Sequence, residues 1–437
     1  MTLPSPLAIS PDFSHAFSRI FLAAFALTLA ARFWLAFRQM GHVARHRERV
    51  PEAFSASITL ADHQRAADYT RARIRTALVE RLADAALLLG LTYGGLLNAC
   101  NDFWREWLPE SGYGHGLALF ASLGVAGFLV GLPFALYGTF VLEARFGFNR
   151  TTWRTFVTDM LLSGLLSVLV GGPLLLVVLW LMADGGGHWW LWLWAFWLAF
   201  NLLAMVVYPT WIAPLFNRFA PLEDAALRER IEGLLRRCGF RAAGLFVMDG
   251  SKRSSHGNAY FTGFGRTRRI VFFDTLLAHL QPPEVEAVLA HELGHFRLHH
   301  VWKRFAALAA GALGVLWVLG WAIVQPWFYA GLGVAGQSSA MALILFSLIL
   351  PVLLFPVTPL LSALSRRHEY DADAYAARQT RAADLATALV RLYRDNASTL
   401  TPDPLYSLFY DSHPPAGLRV ARLTALAAAP PPAAAPA

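Results

Sequence analysis

The chain has 437 residues, of which 56% are hydrophobic and only 15% charged, and its mean hydropathy is +0.44. A globular protein carries about a quarter of its residues charged, so this composition excludes an ordinary soluble enzyme and points to lipid. The formal net charge of +8 would suit a nucleic-acid binder if it formed one basic face, but the arginines instead flank long apolar runs, as membrane-bordering residues do.

A helix rising ~1.5 Å per residue needs about 18 predominantly apolar residues to cross the hydrocarbon core. Seven stretches meet that requirement, at 20–37, 82–100, 116–142, 158–182, 189–208, 305–325 and 338–363. The Gly-rich turn from Ala183 to His188 joins the fourth and fifth as a tight hairpin. Pro351, Pro356 and Pro359 predict a kink or break in the seventh. Arg32, Asn98 and Asn201 lie inside spans, where a polar group is costly unless it faces protein or water; interhelical hydrogen bonding or snorkelling is the expectation for them.

Basic residues set the orientation. Arg38, Arg45, Arg47 and Arg49 follow the first span, and Arg145, Arg150 and Arg154 follow the third, whereas the alternate loops are poor in positive charge. The positive-inside rule therefore puts the N-terminus outside and the C-terminus in the cytoplasm. No basic segment precedes the first apolar run, which reads as a signal anchor rather than a cleaved signal.

Five regions result: membrane spans over 1–208, a cytoplasmic part over 209–304, two more spans over 305–363, a second cytoplasmic part over 364–422, and an Ala/Pro tail over 423–437 expected to be disordered. The first cytoplasmic part has an amphipathic helical pattern from Leu222 to Arg237 and a short strand at Gly244 to Met248. Two further strands, Asn258 to Phe264 and Arg269 to Asp274, are joined by a turn through Gly265, and a helix starts at Pro283. The fold class is thus mainly α, a polytopic membrane protein of about seven transmembrane helices with a cytoplasmic α+β part containing a short β-sheet.

That last helix carries "VLAHELGHFRLHH". Residues four apart share a helical face, so His291 and His295 can offer imidazole nitrogens to one metal ion while Glu292 reaches the water beside it. Zinc lowers the pKa of such a water towards neutrality, and a neighbouring carboxylate can take its proton during attack on a carbonyl. In a chain of 437 residues with 14 histidines the pattern arises by chance about 1% of the time. Cys100 and Cys238 are the only cysteines, so a cysteine-rich metal site is impossible.

A catalytic zinc needs a third protein ligand. Leu298 and Val301 stand where an extended histidine motif would need Gly and His, which excludes that class. The only glutamate after Glu292 is Glu369, in "SRRHEYDADAYA", with Asp373 four residues on and placed to orient a ligand histidine. Two spans separate His295 from Glu369, so both emerge on the same side and can meet. His299 is the competing ligand, but histidines on three successive turns spread along ~12 Å of helix and cannot all close on one ion. His300 and His368 are expected to be solvated or interfacial.

Together, "HELGH", "SRRHEYDADAYA", "GNAYFTGFGRTRRIVFFDTLL", "EARFGFN", "YPTWIAPLFNRFAPL" and "DSHPPAGLR" resemble the type I CAAX prenyl proteases, from about Arg38 to Arg422. The resemblance implies an integral-membrane zinc metalloendopeptidase, its seven helices ringing a chamber closed by the metal-binding part. It implies one Zn2+ per chain bound by His291, His295 and Glu369, with Glu292 as general base. It also implies that Asn258, Ala259, Tyr260 and Arg419 bind the substrate backbone and that His413 takes part in catalysis. The substrate would be a peptide or protein, with or without a C-terminal prenyl group, that loses its last three residues. An exposed strand at 258–264 suits this, since it can add the substrate as a further strand, and His413 or Arg419 suits an oxyanion. Thr262 departs from the aromatic that often follows Phe in eukaryotic members. Two other readings stand beside this one: a membrane quality-control zinc protease with no prenyl requirement, and a transporter or receptor with a structural zinc.

Overall fold

The structure is a computed structural model that describes residues 11–428 apart from 111, 241–243 and 263–268. Its long apolar runs are helical because, within lipid, only a helix satisfies every backbone N–H and C=O in a single segment. The first helix, α1 (Pro11–Arg45), is followed by α2 (Leu60–Leu91), whose N-cap Thr59 accepts from Asp62 N at 3.1 Å, and by α3 (Leu96–Arg105). Next, α4 (Tyr113–Tyr137) continues through a π-helical turn at Gly138–Glu143, and α5 (Trp153–Leu166) joins α6 (Gly172–Asp184) through another at Ser167–Gly171. After the glycine turn, α7 (Trp189–Val207) packs back against α6 as the predicted hairpin and leads into the short α8 (Ala213–Phe216).

Between the two membrane regions lie β1 (Phe219–Pro221), α9 (Ala225–Cys238), β2 (Gly244–Met248), β3 (Ala259–Thr262), β4 (Arg269–Phe273), α10 (Asp274–His279) and α11 (Pro282–Arg297). The strands form one sheet in the order β1-β2-β4-β3, with β2 and β4 parallel and the other pairs antiparallel. Membrane helices resume with α12 (His300–Ala322), then α13 (Pro326–Ala330), α14 (Ser339–Leu354) and α15 (Thr358–Gln379). The chain ends in α16 (Ala382–Asp395), α17 (Pro404–Tyr410) and α18 (Ala416–Ala428).

Among the described residues six helical segments are long and apolar enough to cross a membrane, or seven if α2 and α3 count as one span. The second predicted span, 82–100, is not one straight helix: the chain bends by 53° between α2 and α3, where Gly95 adopts a left-handed φ of 75°. The seventh breaks where its prolines predict, in a 3-10 turn at Phe355–Val357 between α14 and α15. The polar groups inside the spans are half-buried and have partners within the protein, although Arg32 Nε itself has no hydrogen-bond partner. Asn98 Nδ2 donates to Gly333 O at 2.8 Å and its Oδ1 accepts from Ala335 N at 3.1 Å, while the Arg32 guanidinium lies 4.8 Å from the Phe355 ring. Asn201 instead bonds within its own helix, to Trp197 O at 2.8 Å.

Two large apolar cores result, beside three small clusters among the described residues. One, around Leu119, Leu332 and Met341, holds the membrane helices together; the other, around Ile231, Phe272, Leu289 and Ala376, packs the sheet and α9 against α11 and α15. The expected disordered tail begins too early, since Leu423 is fully buried in the second core and α18 runs to Ala428; the tail from 429 lies outside the described residues. Helix α15 crosses the expected boundary at 363 without interruption, so the segment bearing Glu369 extends directly from the membrane region. Gly265, the expected turn between β3 and β4, also lies outside the described residues.

Candidate metal centre

Helix α11 is fixed at its start by a capping box between Gln281 and Glu284, in which Gln281 N donates to Glu284 Oε2 at 2.7 Å. Pro282 and Pro283 occupy first-turn positions that need no N–H. One turn apart on its inner face, His291 and His295 bring their Nε2 atoms to 3.1 Å from each other. From α15, Glu369 sets Oε2 3.4 Å from His291 Nε2 and Oε1 3.4 Å from His295 Nε2. One ligand atom from each residue lies within 4.8 Å of the others, and all three side chains are buried. Glu369 Oε2 is buried with no hydrogen-bond partner. Two facing imidazole nitrogens and an unsatisfied carboxylate oxygen form a donor set that fits a divalent cation such as zinc.

Gly294 makes this meeting of helices possible. A Cβ there would stand 3.1 Å from Ala372 Cα and 3.1 Å from Tyr375 Cβ, so α15 approaches α11 closely only because position 294 has no side chain. The glycine of "HELGH" is thus the contact that lets Glu369 reach the two histidines, a role its place in the motif did not reveal.

Behind the ligands lies a charged layer. Asp373 Oδ1 is 2.9 Å from His291 Nδ1, the position expected for an orienting carboxylate. Arg419 from α18 donates to both Asp373 oxygens, from Nε at 2.7 Å and Nη2 at 2.8 Å, and Nη2 also lies 3.5 Å from Glu369 Oε2. Arg419, expected to bind substrate, is 4% exposed; besides holding Asp373, its Nη2 lies 3.3 Å from Nε2 of His291, the nitrogen that faces the other two ligands. Burial works against charge on His291, yet the Asp373 and Glu369 carboxylates outweigh it and push the imidazole up to about 9 in the metal-free protein.

The open side of the site is different. Glu292 is half-buried on the next position of α11. His413 sets Nε2 3.5 Å from Glu369 Oε2, has Nδ1 3.0 Å from Ser412 Oγ, and opens onto a cavity of about 650 Å3 lined also by Tyr69, Arg73, Glu143 and Tyr406. Its side chain is 62% exposed into that recess, but the protein enclosing the recess disfavours charge and holds the imidazole below its ordinary value. A second recess of about 600 Å3 is lined by His256, Asn258 and Phe273, and shares Asn396 with the first.

Strand β3 lies at the edge of the sheet and pairs only with β4 among the described residues. Phe273 N donates to Asn258 O at 3.0 Å, so in this register Tyr260 continues the ladder to β4, whereas the main-chain groups of Phe261 point away from β4. Asn258 is exposed, and its Oδ1 accepts from Ala259 N at 2.8 Å. Ala259 packs its methyl against the second core, and Tyr260 sits edge-on to Phe273 at 6.3 Å. Phe261 meets Phe296 at 4.3 Å, tying the edge strand to the ligand helix.

The other histidines near the site lie around a helix break that the sequence did not show. Helix α11 stops at Arg297, His299 takes a left-handed φ of 58° and is exposed, and α12 begins at His300. His299 is not part of the metal-competent group, in line with its rejection as a ligand. Of the two alternatives expected for His300 and His368, solvated or interfacial, the structure has the second: they are 1% and 5% exposed and stack on each other at 4.1 Å between α12 and α15. No glycine or proline marks the helix break, which is why the sequence reading missed it.

Comparison with known proteins agrees with this architecture. Residues 39–218 match the family described as CAAX prenyl protease N-terminal, five membrane helices, and residues 221–427 match peptidase family M48. The chain is similar to CAAX prenyl protease 1 homolog of Arabidopsis thaliana, 40% identical over 70% of this chain and 73% of the relative. It is 38% identical to CAAX prenyl protease 1 of Saccharomyces cerevisiae over 71% of each. The crystal structure of S. mikatae Ste24p superposes with a TM-score of 0.84 at 30% identity, covering 97% of this chain and 99% of that one. With two family matches spanning most of its length and a metal-competent histidine and glutamate cluster between its spans, the chain belongs to peptidase family M48, in the CAAX prenyl protease branch of membrane metalloproteases.

Proposed function

We propose that the protein is a zinc endopeptidase that trims the C-terminal CAAX-type tail of a peptide or protein presented at the membrane, with the prenyl group part of what it recognises. The cluster of His291, His295 and Glu369 within 4.8 Å, opening past His413 onto a large cavity, is the observation that carries this reading. The quality-control alternative is not favoured, since the relatives named above are CAAX prenyl proteases. When bound at this site, zinc supplies the Lewis acidity that lowers the pKa of water and polarises a carbonyl.

The chain's own residues do the rest. Glu292 accepts the proton of the attacking water and passes it to the departing amine. His413, neutral near pH 7, donates a hydrogen bond to the oxygen that gains charge on the scissile carbonyl. The free edge of β3, with Asn258 and the main chain of Ala259 and Phe261, holds the substrate extended as an added strand, and Tyr260 supports it from the β4 side. Asp373 orients His291, and Arg419 balances the buried carboxylates and stays close enough to the ligand atoms to meet the substrate backbone beside them.

Cleavage of a farnesylated CAAX peptide and its unprenylated twin tests the reading. Wild type should cut the farnesylated peptide faster, Glu292→Ala should lose about 100- to 10,000-fold in kcat while keeping its metal, and chelation should abolish activity until zinc is returned. A metal-loaded wild type that cuts neither peptide would sink the assignment.

A further inference from the structure

The two histidine ligands are held from behind in different ways. His291 rests on a carboxylate, Asp373, which Arg419 clamps. His295 rests on another histidine: its Nδ1 lies 3.0 Å from His300 Nδ1, and both rings are buried. We propose that His300 is a positioning residue of the metal centre, accepting the Nδ1–H of His295 and so keeping that ligand in the tautomer whose Nε2 faces the ion. This inference rests on the metal-centre reading above.

The proton count leads to the assignment. A neutral imidazole that binds a metal through Nε2 carries its proton on Nδ1, and that N–H needs an acceptor where water is excluded. Two ring nitrogens 3.0 Å apart share one proton, so His300 Nδ1 is the acceptor and the proton of His300 sits on its Nε2. That nitrogen faces Asp371 Oδ2 at 3.9 Å, a carboxylate whose charge favours an N–H on that side. His368 lies against the His300 ring at 4.1 Å with only 11° between the planes, which fixes the ring's tilt.

The break between α11 and α12 makes the contact possible. In one continuous helix a residue five positions on stands about 140° around the axis, out of reach of His295. The left-handed turn at His299, with φ 58°, ends α11 and restarts the chain so that His300 returns beneath the ligand. Placing a β-carbon residue in that conformation has a cost, and the His295 to His300 bond is what it yields.

The test uses the full-length chain purified in detergent and measures zinc affinity by competition with a chromogenic chelator, with thermal melting of the metal-free protein in parallel. Loss of an orienting partner costs about 10- to 100-fold in metal affinity, and His300→Ala should show a loss in that range. His300→Asn, whose Oδ1 offers an acceptor where Nδ1 stood, should recover most of it and should settle the matter if the alanine variant does not fold. Equal losses in both variants, or an alanine variant that holds zinc as tightly as wild type, would overturn the proposal. A wild type that binds no zinc would instead overturn the metal-centre reading beneath it.

Discussion

His291 illustrates how a buried ligand carries its own pH dependence. Its imidazole is pushed up to about 9 by Asp373 and Glu369 against the effect of burial, so at neutral pH the metal-free protein holds a proton where a metal would bind. Zinc uptake at pH 7.5 should therefore release protons, and affinity should climb with pH until about 9. Calorimetry in buffers of different ionisation enthalpy would measure the release, and its absence would show that the carboxylates do not control His291. The sign for stability is opposite. A raised histidine stabilises the metal-free fold fully below its ordinary value near 6.5, and that contribution disappears as pH rises through about 9, so the metal-free protein should melt at a lower temperature at pH 9.5 than at pH 6.

At the scale of elements, the site depends on how closely α15 lies on α11. Gly294→Ala sets two effects against each other: alanine favours a helix by up to about 1 kcal/mol, but its methyl would press on Ala372 and Tyr375 at 3.1 Å. Overpacking of this kind costs about 1–3 kcal/mol, so the variant should melt earlier and bind zinc more weakly. A rise in Tm with full zinc affinity would show that α15 retreats freely. The edge of β3 is tested from the substrate side. If the main-chain groups of Phe261 bind an extended peptide, replacing the one substrate N–H that meets them by an ester oxygen removes a hydrogen bond worth about 1 kcal/mol. The expected result is a severalfold fall in kcat/KM at one position of a substrate series, and a flat series would argue against strand addition.

For the molecule as a whole, the arrangement answers how a water-dependent reaction is placed in a largely apolar chain. The spans expose leucines, valines and tryptophans along α5, α6 and α7, as a bilayer-embedded surface requires, while the polar cavity beside His413 lies against α2 and the π-turn after α4. The arginine distribution leads us to expect the N-terminus outside and the metal centre at the cytoplasmic face. In a chain whose Cys100 and Cys238 are replaced, Gln337→Cys should react with an impermeant thiol reagent on intact cells and Ser57→Cys should not, both positions being exposed. The reverse pattern would invert the topology.

Much of this was legible in the residues. Apolar length alone located six of the seven spans as continuous helical runs, because a bilayer enforces helix wherever the run is long enough, and proline chemistry located the break after α14, whereas the bend in the second span left no such signal. The spacing of His291 and His295, and Glu369 as the last glutamate, identified the ligand candidates by helical periodicity and elimination. Other features depended on contacts between segments distant in sequence or on a local break with no residue signature. The left-handed turn at His299 that brings His300 beneath His295 is one of these, and the burial of Arg419 between Asp373 and Glu369 is another. Periodicity reports which face a residue occupies. Only the tertiary structure decides what meets that face, because the helices that meet at this site come from separate parts of the chain.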